Sequence, residues 1–152
     1  MVPPTDDGGS PAPIDRPILE YIQTRLQATR QVSQAAITDA SGHLELSVSI
    51  AESYVPTSVD KIRLSVRWYT NDDFTLHYRE VHVDRTWECR WDRHPNPHNT
   101  REHFHPPPAA STPGDDASWP DDHRDVVAFV LDEIEDRSGY ALFCFIDMTS
   151  LR

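Results

Sequence analysis

Lysine is nearly missing from this chain of 152 residues: Lys61 stands alone against 13 arginines. Cysteine is scarce too, and Cys89 and Cys144 make neither a disulfide framework nor a zinc knuckle. No apolar run approaches the roughly 18 residues of a membrane span. The first residues, Met1-Val2-Pro3-Pro4-Thr5-Asp6-Asp7, lack the basic and apolar regions of a signal peptide. The expectation is a cytoplasmic protein with no membrane partner. Glycine numbers only five, whereas proline numbers 13 and aromatics make up 9%. The aromatics and a regular apolar periodicity exclude a wholly disordered chain. The length suits one domain with one core.

What is abundant is aspartate. There are 17 Asp and 8 Glu, and the formal net charge is -11. Asp binds water densely on a short stem, while lysine exposes a long apolar one. An acidic, Asp-heavy, Lys-poor chain resembles the proteins of salt-in halophilic archaea, so the net charge reads as solvent adaptation and says little about a partner. The charge is also uneven. Residues 62–105 hold seven arginines, seven acids and six of the eight histidines. A neutral, His- and Arg-rich patch in an acidic protein is where an anion can approach.

Residues 1–13 are rich in Pro, Gly and Asp and read as a disordered tail, with a single α+β domain over 14–152. Ile14, Ile18, Tyr21, Ile22 and Leu26 recur at helical spacing, which predicts a helix over 14–30 with Pro17 in its first turn. A strand is expected over 32–38. Strict alternation follows: Leu44, Leu46, Val48 and Ile50; then Ile62, Leu64, Val66 and Trp68; then residues 74–83; then Trp87, Cys89 and Trp91. Period-two runs parted by turns predict an antiparallel meander of four to six strands with one buried face. A second helix is expected over 119–137, capped at Ser118, with Val126, Val127, Val130, Leu131 and Ile134 as its apolar stripe and Ser138-Gly139 as its stop. Both helices should cover the same face of a twisted sheet. Residues 140–146 read as a closing strand or packed tail.

Between sheet and second helix lies a Pro/His-rich loop, 92–117. Seven prolines fall between positions 95 and 120. So long an irregular connection is usually functional or disordered, and prolines stiffen it. His94, His98, His103 and His105, with Asp92, form the densest set of reactive side chains. Catalysis is one use: imidazoles titrate near neutrality and can serve as base and acid. Asp92, His98, His103 and His105 are the candidates, with Arg90, Arg93 or Arg101 gripping a phosphate and Phe104 stacking a base. Metal binding is another: His94, His98, His103, His105 and Asp92 offer nitrogen and oxygen ligands for zinc or manganese. Packing of the loop over a sheet edge, with imidazoles bonded to backbone, is the third.

Other residues have plainer readings. Trp68, Trp87 and Trp91 belong to the core, and Cys89, in line with the last two, is buried and inert. His43, His82 and His123 read as surface. His77 and Arg79 share a strand face and could flank a groove.

The run Trp87-Glu88-Cys89-Arg90-Trp91-Asp92-Arg93-His94-Pro95-Asn96-Pro97-His98, followed by His103-Phe104-His105-Pro106, resembles the TumE-type family of small toxins of toxin–antitoxin systems. In that family a meander ends in an Arg-aromatic-Asp triplet, followed by a Pro/His loop, a second histidine cluster and a C-terminal helix. The resemblance covers about residues 40–137 and is specific over 90–106. It implies an RNA-cleaving toxin paired with a cognate antitoxin protein, with roles for Arg90, Asp92, His98, His103 and His105. A non-enzymatic interaction or metal-binding protein on the same sheet is the alternative. The chain departs from the pattern in placing Arg93 after the Asp, in spreading its first histidines as His94-Pro-Asn-Pro-His98, and in its N-terminal helix.

Overall fold

A computed structural model describes residues 12–40 and 42–138. The expected tail, up to residue 11, and the apolar run at 140–146 lie outside the described residues.

Helix α1 spans Arg16–Gln27. The Asp15 carboxylate accepts the Ile18 N–H at 3.2 Å as its N-cap, and Pro17 sits in the first turn. Leu19, Ile22 and Leu26 are buried, one per turn of the helix. The helix is shorter than the periodicity suggests at both ends. Ile14 is drawn into a bridge with Tyr69, and the Thr29 N–H folds back to the Leu26 carbonyl.

Among the described residues seven strands follow in an antiparallel meander whose spatial order is their sequence order. They are β1 (Val32–Ala40), β2 (His43–Ile50), β3 (Val59–Trp68), β4 (Phe74–His82), β5 (Thr86–Arg93), β6 (Glu102–His105) and β7 (Asp115–Asp116). Seven is one more than the four to six expected, because part of the Pro/His segment expected as loop forms β6 and β7 beside β5. Gly114 makes the β6–β7 approach possible: a Cβ there would lie 2.5 Å from the Phe104 carbonyl oxygen.

Register sorts the side chains onto two faces. Leu46, Val48, Leu64, Val66, Leu76, Tyr78, Cys89 and Trp91 stand together on one and join a single buried cluster. Trp68 stacks on Phe74 with ring centroids 4.7 Å apart. Leu19, Ile22 and Leu26 of α1 and Val126, Val127, Val130, Leu131 and Ile134 of the second helix belong to the same cluster, so both helices cover one face. Each fully buried Leu, Ile or Val side chain stabilises by about 1.5–3 kcal/mol.

The second helix, α2, spans His123–Ser138. It starts later than the 119–137 expectation, because the residues before it are used elsewhere. Trp119 donates its indole N–H to the Asp92 carbonyl at 3.0 Å, and the Pro120 carbonyl accepts from Arg93. Asp122 takes the capping role, accepting the Arg124 N–H at 2.8 Å. His123 is not surface: its ring packs edge-on against Tyr21 and Trp68, joining the two helices to the core. His82 also turns inward, bonded to Glu80 at 2.9 Å.

Candidate functional site

The face opposite the helices carries the polar set. Three rows cross it in register. One runs Arg67, Thr75, Asp92, His103 and Asp116; the next Ser65, His77, Arg90 and His105; the third Arg63, Arg79 and Glu88. Alternation alone puts these residues on one side, and the order of the meander makes the rows continuous. Neither helix of the described residues packs on them, yet Arg67, Thr75, Asp92, His103 and His105 are buried, while Arg63, Arg79, His77, Arg90 and Glu88 reach solvent.

At the Pro/His end, four side chains meet on one carboxylate oxygen. Asp92 Oδ2 lies 2.9 Å from Arg90 Nε and 3.0, 3.3 and 3.4 Å from the Nε2 atoms of His105, His94 and His103. Asp92, His103 and His105 are buried, His94 is half-buried, and Arg90 reaches solvent. Asp92 Oδ1 is buried with no hydrogen-bond partner. Burial opposes ionisation of Asp92, but the hydrogen bonds from His103, His105 and His94 and the Arg90 charge outweigh it and hold the carboxyl well below its ordinary value. Burial also disfavours a proton on His94, yet the bond to Asp92 prevails and raises its pKa.

The other nitrogen of each ring is already engaged. His94 Nδ1 lies 2.9 Å from the Pro95 carbonyl, His105 Nδ1 2.9 Å from the Ser111 carbonyl, and His103 Nδ1 3.2 Å from the Thr100 carbonyl. A carbonyl only accepts, so the Nδ1 atoms of His94 and His105 carry the hydrogen, whereas His103 Nδ1 also has the Asn96 amide nitrogen, a donor, at 3.3 Å. Asn96 fixes this part of the loop: its Oδ1 accepts the N–H groups of His98 and Asn99 at 2.9 and 2.7 Å. The Asn96-Pro97 pair hints at such a turn, but the three carbonyl partners have no sequence signal.

The expected site residues therefore divide. Asp92, His103, His105 and Arg90 come together, joined by His94. His98 does not: its side chain is exposed. The expectation that it converges with His103 and His105 fails because the Asx turn points it outward. Phe104 and Arg93 lie on the helix side of the sheet. Phe104 packs on Trp91 at 5.7 Å. Arg93 donates to Glu102, to the Asp72 carbonyl and to the Pro120 carbonyl, and sits 4.8 Å over the Phe74 ring. Period two decides both cases, since each stands one position away from a residue of the polar face. Arg101 is half-exposed but pairs with Asp73.

Farther along the open face, His77 donates from Nε2 to Glu88 at 3.1 Å, and burial lowers its pKa so that its neutral form is favoured. Arg63 and Arg79 face each other directly across β3 and β4. Arg79 has Glu88 at 3.5 Å, while Arg63 is exposed with no ion pair among the described residues. Like charges opposed across a ladder destabilise the pair unless an anion intervenes. The sequence pattern marks His77 and Arg79 as groove residues but leaves Arg63 unremarked.

An antiparallel meander with helices on one face and a polar, arginine-bearing face on the other is a small α+β protein whose chemistry lies on the sheet face away from those helices. Residues 15–138 match the family model described as Toxin TumE, and the chain belongs to that family. It is thus the toxin of a toxin–antitoxin pair, and a cognate antitoxin is its partner. The match takes in α1, which the resemblance seen in sequence leaves out. No curated protein and no solved structure matches the chain. No helix among the described residues is long and apolar enough to cross a membrane.

Proposed function

We propose that this toxin cleaves RNA on the open face of its sheet, with the scissile phosphate at Arg90. One observation carries the reading. His77, Arg90 and His105 stand in register on β4, β5 and β6, so a guanidinium that reaches solvent lies between a half-buried imidazole and a buried one. Neighbouring strands are about 4.8 Å apart, which puts the His77 ring within reach of a phosphate held at the middle strand, while the buried His105 backs Arg90 from the other side.

Roles follow from exposure. Arg90 offers its fork to the phosphate and stabilises the charge that develops on it. His77, neutral and reachable, removes the proton from the ribose 2′-hydroxyl. The freed oxygen attacks phosphorus, the bond to the 5′-oxygen breaks, and that oxygen takes a proton from solvent. Asp92, His103 and His105 are too buried to meet a strand of RNA, and they act by positioning Arg90. Arg63 and Arg79 continue the track of cations along the backbone.

The composition fits a protein working in concentrated salt, where the Debye length falls to about 3 Å. Counterion release then contributes little, and short contacts such as the Arg90 fork must carry the affinity.

Growth inhibition tests the assignment. Arg90→Ala and His77→Ala abolish toxicity, whereas His98→Ala and the double change Asp115→Asn, Asp116→Asn leave it intact. Full toxicity in both of the first two variants removes the reading.

A further inference from the structure

Four nitrogen donors aim at Asp92 Oδ2, while Oδ1 of the same carboxylate, equally buried, has no partner. An oxygen with about two lone pairs cannot satisfy four donors. The ring tautomers sharpen the conflict. With Nδ1–H given to a backbone carbonyl, the neutral imidazoles of His94 and His105 turn Nε2 lone pairs toward an anion, and Arg90 donates to that of His105 at 3.0 Å. Protonating all three rings would bury three more positive charges beside Arg90, at a high desolvation cost. If His103 instead accepts from Asn96 at Nδ1 and donates from Nε2 to Asp92, the His94 and His105 lone pairs still face the carboxylate, so no arrangement with neutral rings satisfies the cluster. A cation at the point where the lone pairs meet does.

We infer that Asp92, His94, His103 and His105 form a binding site for a zinc-like divalent metal. The ligand atoms of Asp92, His103 and His105 all lie within 4.8 Å of one another, and His94 Nε2 reaches the same carboxylate oxygen at 3.3 Å. Nitrogen and oxygen ligands about 2.0–2.1 Å from a tetrahedral zinc stand about 3.3 Å apart. The separations from Oδ2 to the three Nε2 atoms, 3.0, 3.3 and 3.4 Å, match three of the six edges of such a tetrahedron. The Nδ1–H bonds to the carbonyls of Pro95, Thr100 and Ser111 are the outer contacts that fix a metal-bound imidazole. Three imidazoles select a borderline transition metal over magnesium or calcium. Arg90 shares Oδ2 and lies 3.0 Å from His105 Nε2, so it must yield that place to the metal. It has solvent on one side and the unpartnered Oδ1 on the other to turn to.

Four protein ligands leave no open position, which makes the site structural. It ties β5 to β6 across residues 94–102 and sets the ground on which Arg90 rests. The inference stands on the cluster and holds whatever the toxin's substrate is.

The full chain, stripped with chelator and incubated with zinc, should hold one zinc per molecule after desalting, and magnesium in excess should not displace it. Cobalt in its place should show the visible absorption of a four-coordinate ion. His94→Ala, at the half-buried edge of the cluster, should stay folded by circular dichroism and weaken zinc by about 100-fold or more, while His98→Ala should bind as the parent does. A folded parent chain that retains no zinc and gives no cobalt spectrum overturns the site, as does equal zinc affinity in the parent and His94→Ala. These readouts need no RNA. Cleavage by a folded chain unable to bind zinc would leave the RNA reading standing alone, and zinc binding by a chain that cleaves nothing would leave the metal site standing alone.

Discussion

Arg93 is the residue whose sequence reading and structural place differ most, and its removal has a calculable effect. It donates to Glu102 at 2.9 Å and to the Asp72 and Pro120 carbonyls, and it lies over Phe74. These bonds hold together the β3–β4 turn, β6 and the approach to α2. Arg93→Leu keeps some of the packing but strands three acceptors. A hydrogen bond to a charged group contributes about 1.5–3 kcal/mol, and a desolvated cation–π contact such as this buried one about 2 kcal/mol. The contributions are not additive, and Glu102 is a quarter exposed and can be rehydrated. The expected loss is about 3–4 kcal/mol, or roughly 10–15 °C in Tm for a domain of this size. Urea unfolding followed by tryptophan fluorescence would read it, with Arg79→Leu as a control expected to change stability by less than about 0.5 kcal/mol. If Arg93→Leu unfolds like the parent yet fails to bind RNA, Arg93 is a substrate ligand after all and the two-face assignment is wrong.

Two further outcomes follow from the same geometry. Glu80 is buried, yet bonds from Arg137, Tyr78 and His82 overcome that burial and lower its pKa. Its stabilisation is therefore present above the ordinary carboxyl value and lost as pH falls through the lowered folded one. Denaturant unfolding from pH 6 down to pH 2 should show Glu80→Gln less stable at the neutral end and less steeply dependent on acid than the parent; parallel curves would refute this. Gly114→Ala places a methyl against the Phe104 carbonyl and beside the His105 ring, 3.4 Å away. It should destabilise by about 1–3 kcal/mol and disturb the Asp92 cluster, seen as shifted histidine resonances. Unshifted resonances would show that β6 can give way without cost.

The strands and both helices are legible in the sequence because one buried face imposes period two on strands and 3.6 on helices. Trp68, Leu76 and Leu131 declare their burial by spacing alone. The start of α2 is not legible, since Trp119 and Pro120 look like a helix opening until Asp92 and Arg93 claim them. Nor are β6 and β7, whose four and two residues are too short for a period to emerge. The candidate site is half legible. The histidines and Asp92 stand out by density, but which of them meet depends on the 94–102 turn. Phe104 and His103 differ by one position and so by an entire face, and Arg63 gains meaning only from Arg79 across the ladder. Those facts live in register.

The most direct test of the account is cleavage of a labelled RNA by the purified toxin, freed of its antitoxin, in high salt. The account predicts cleavage by the parent chain and weaker binding by Arg90→Ala. It also predicts a rate reduced by about 100-fold or more for His77→Ala with binding retained. A folded parent that leaves RNA intact, or a His77→Ala chain that cuts as fast as the parent, would contradict it.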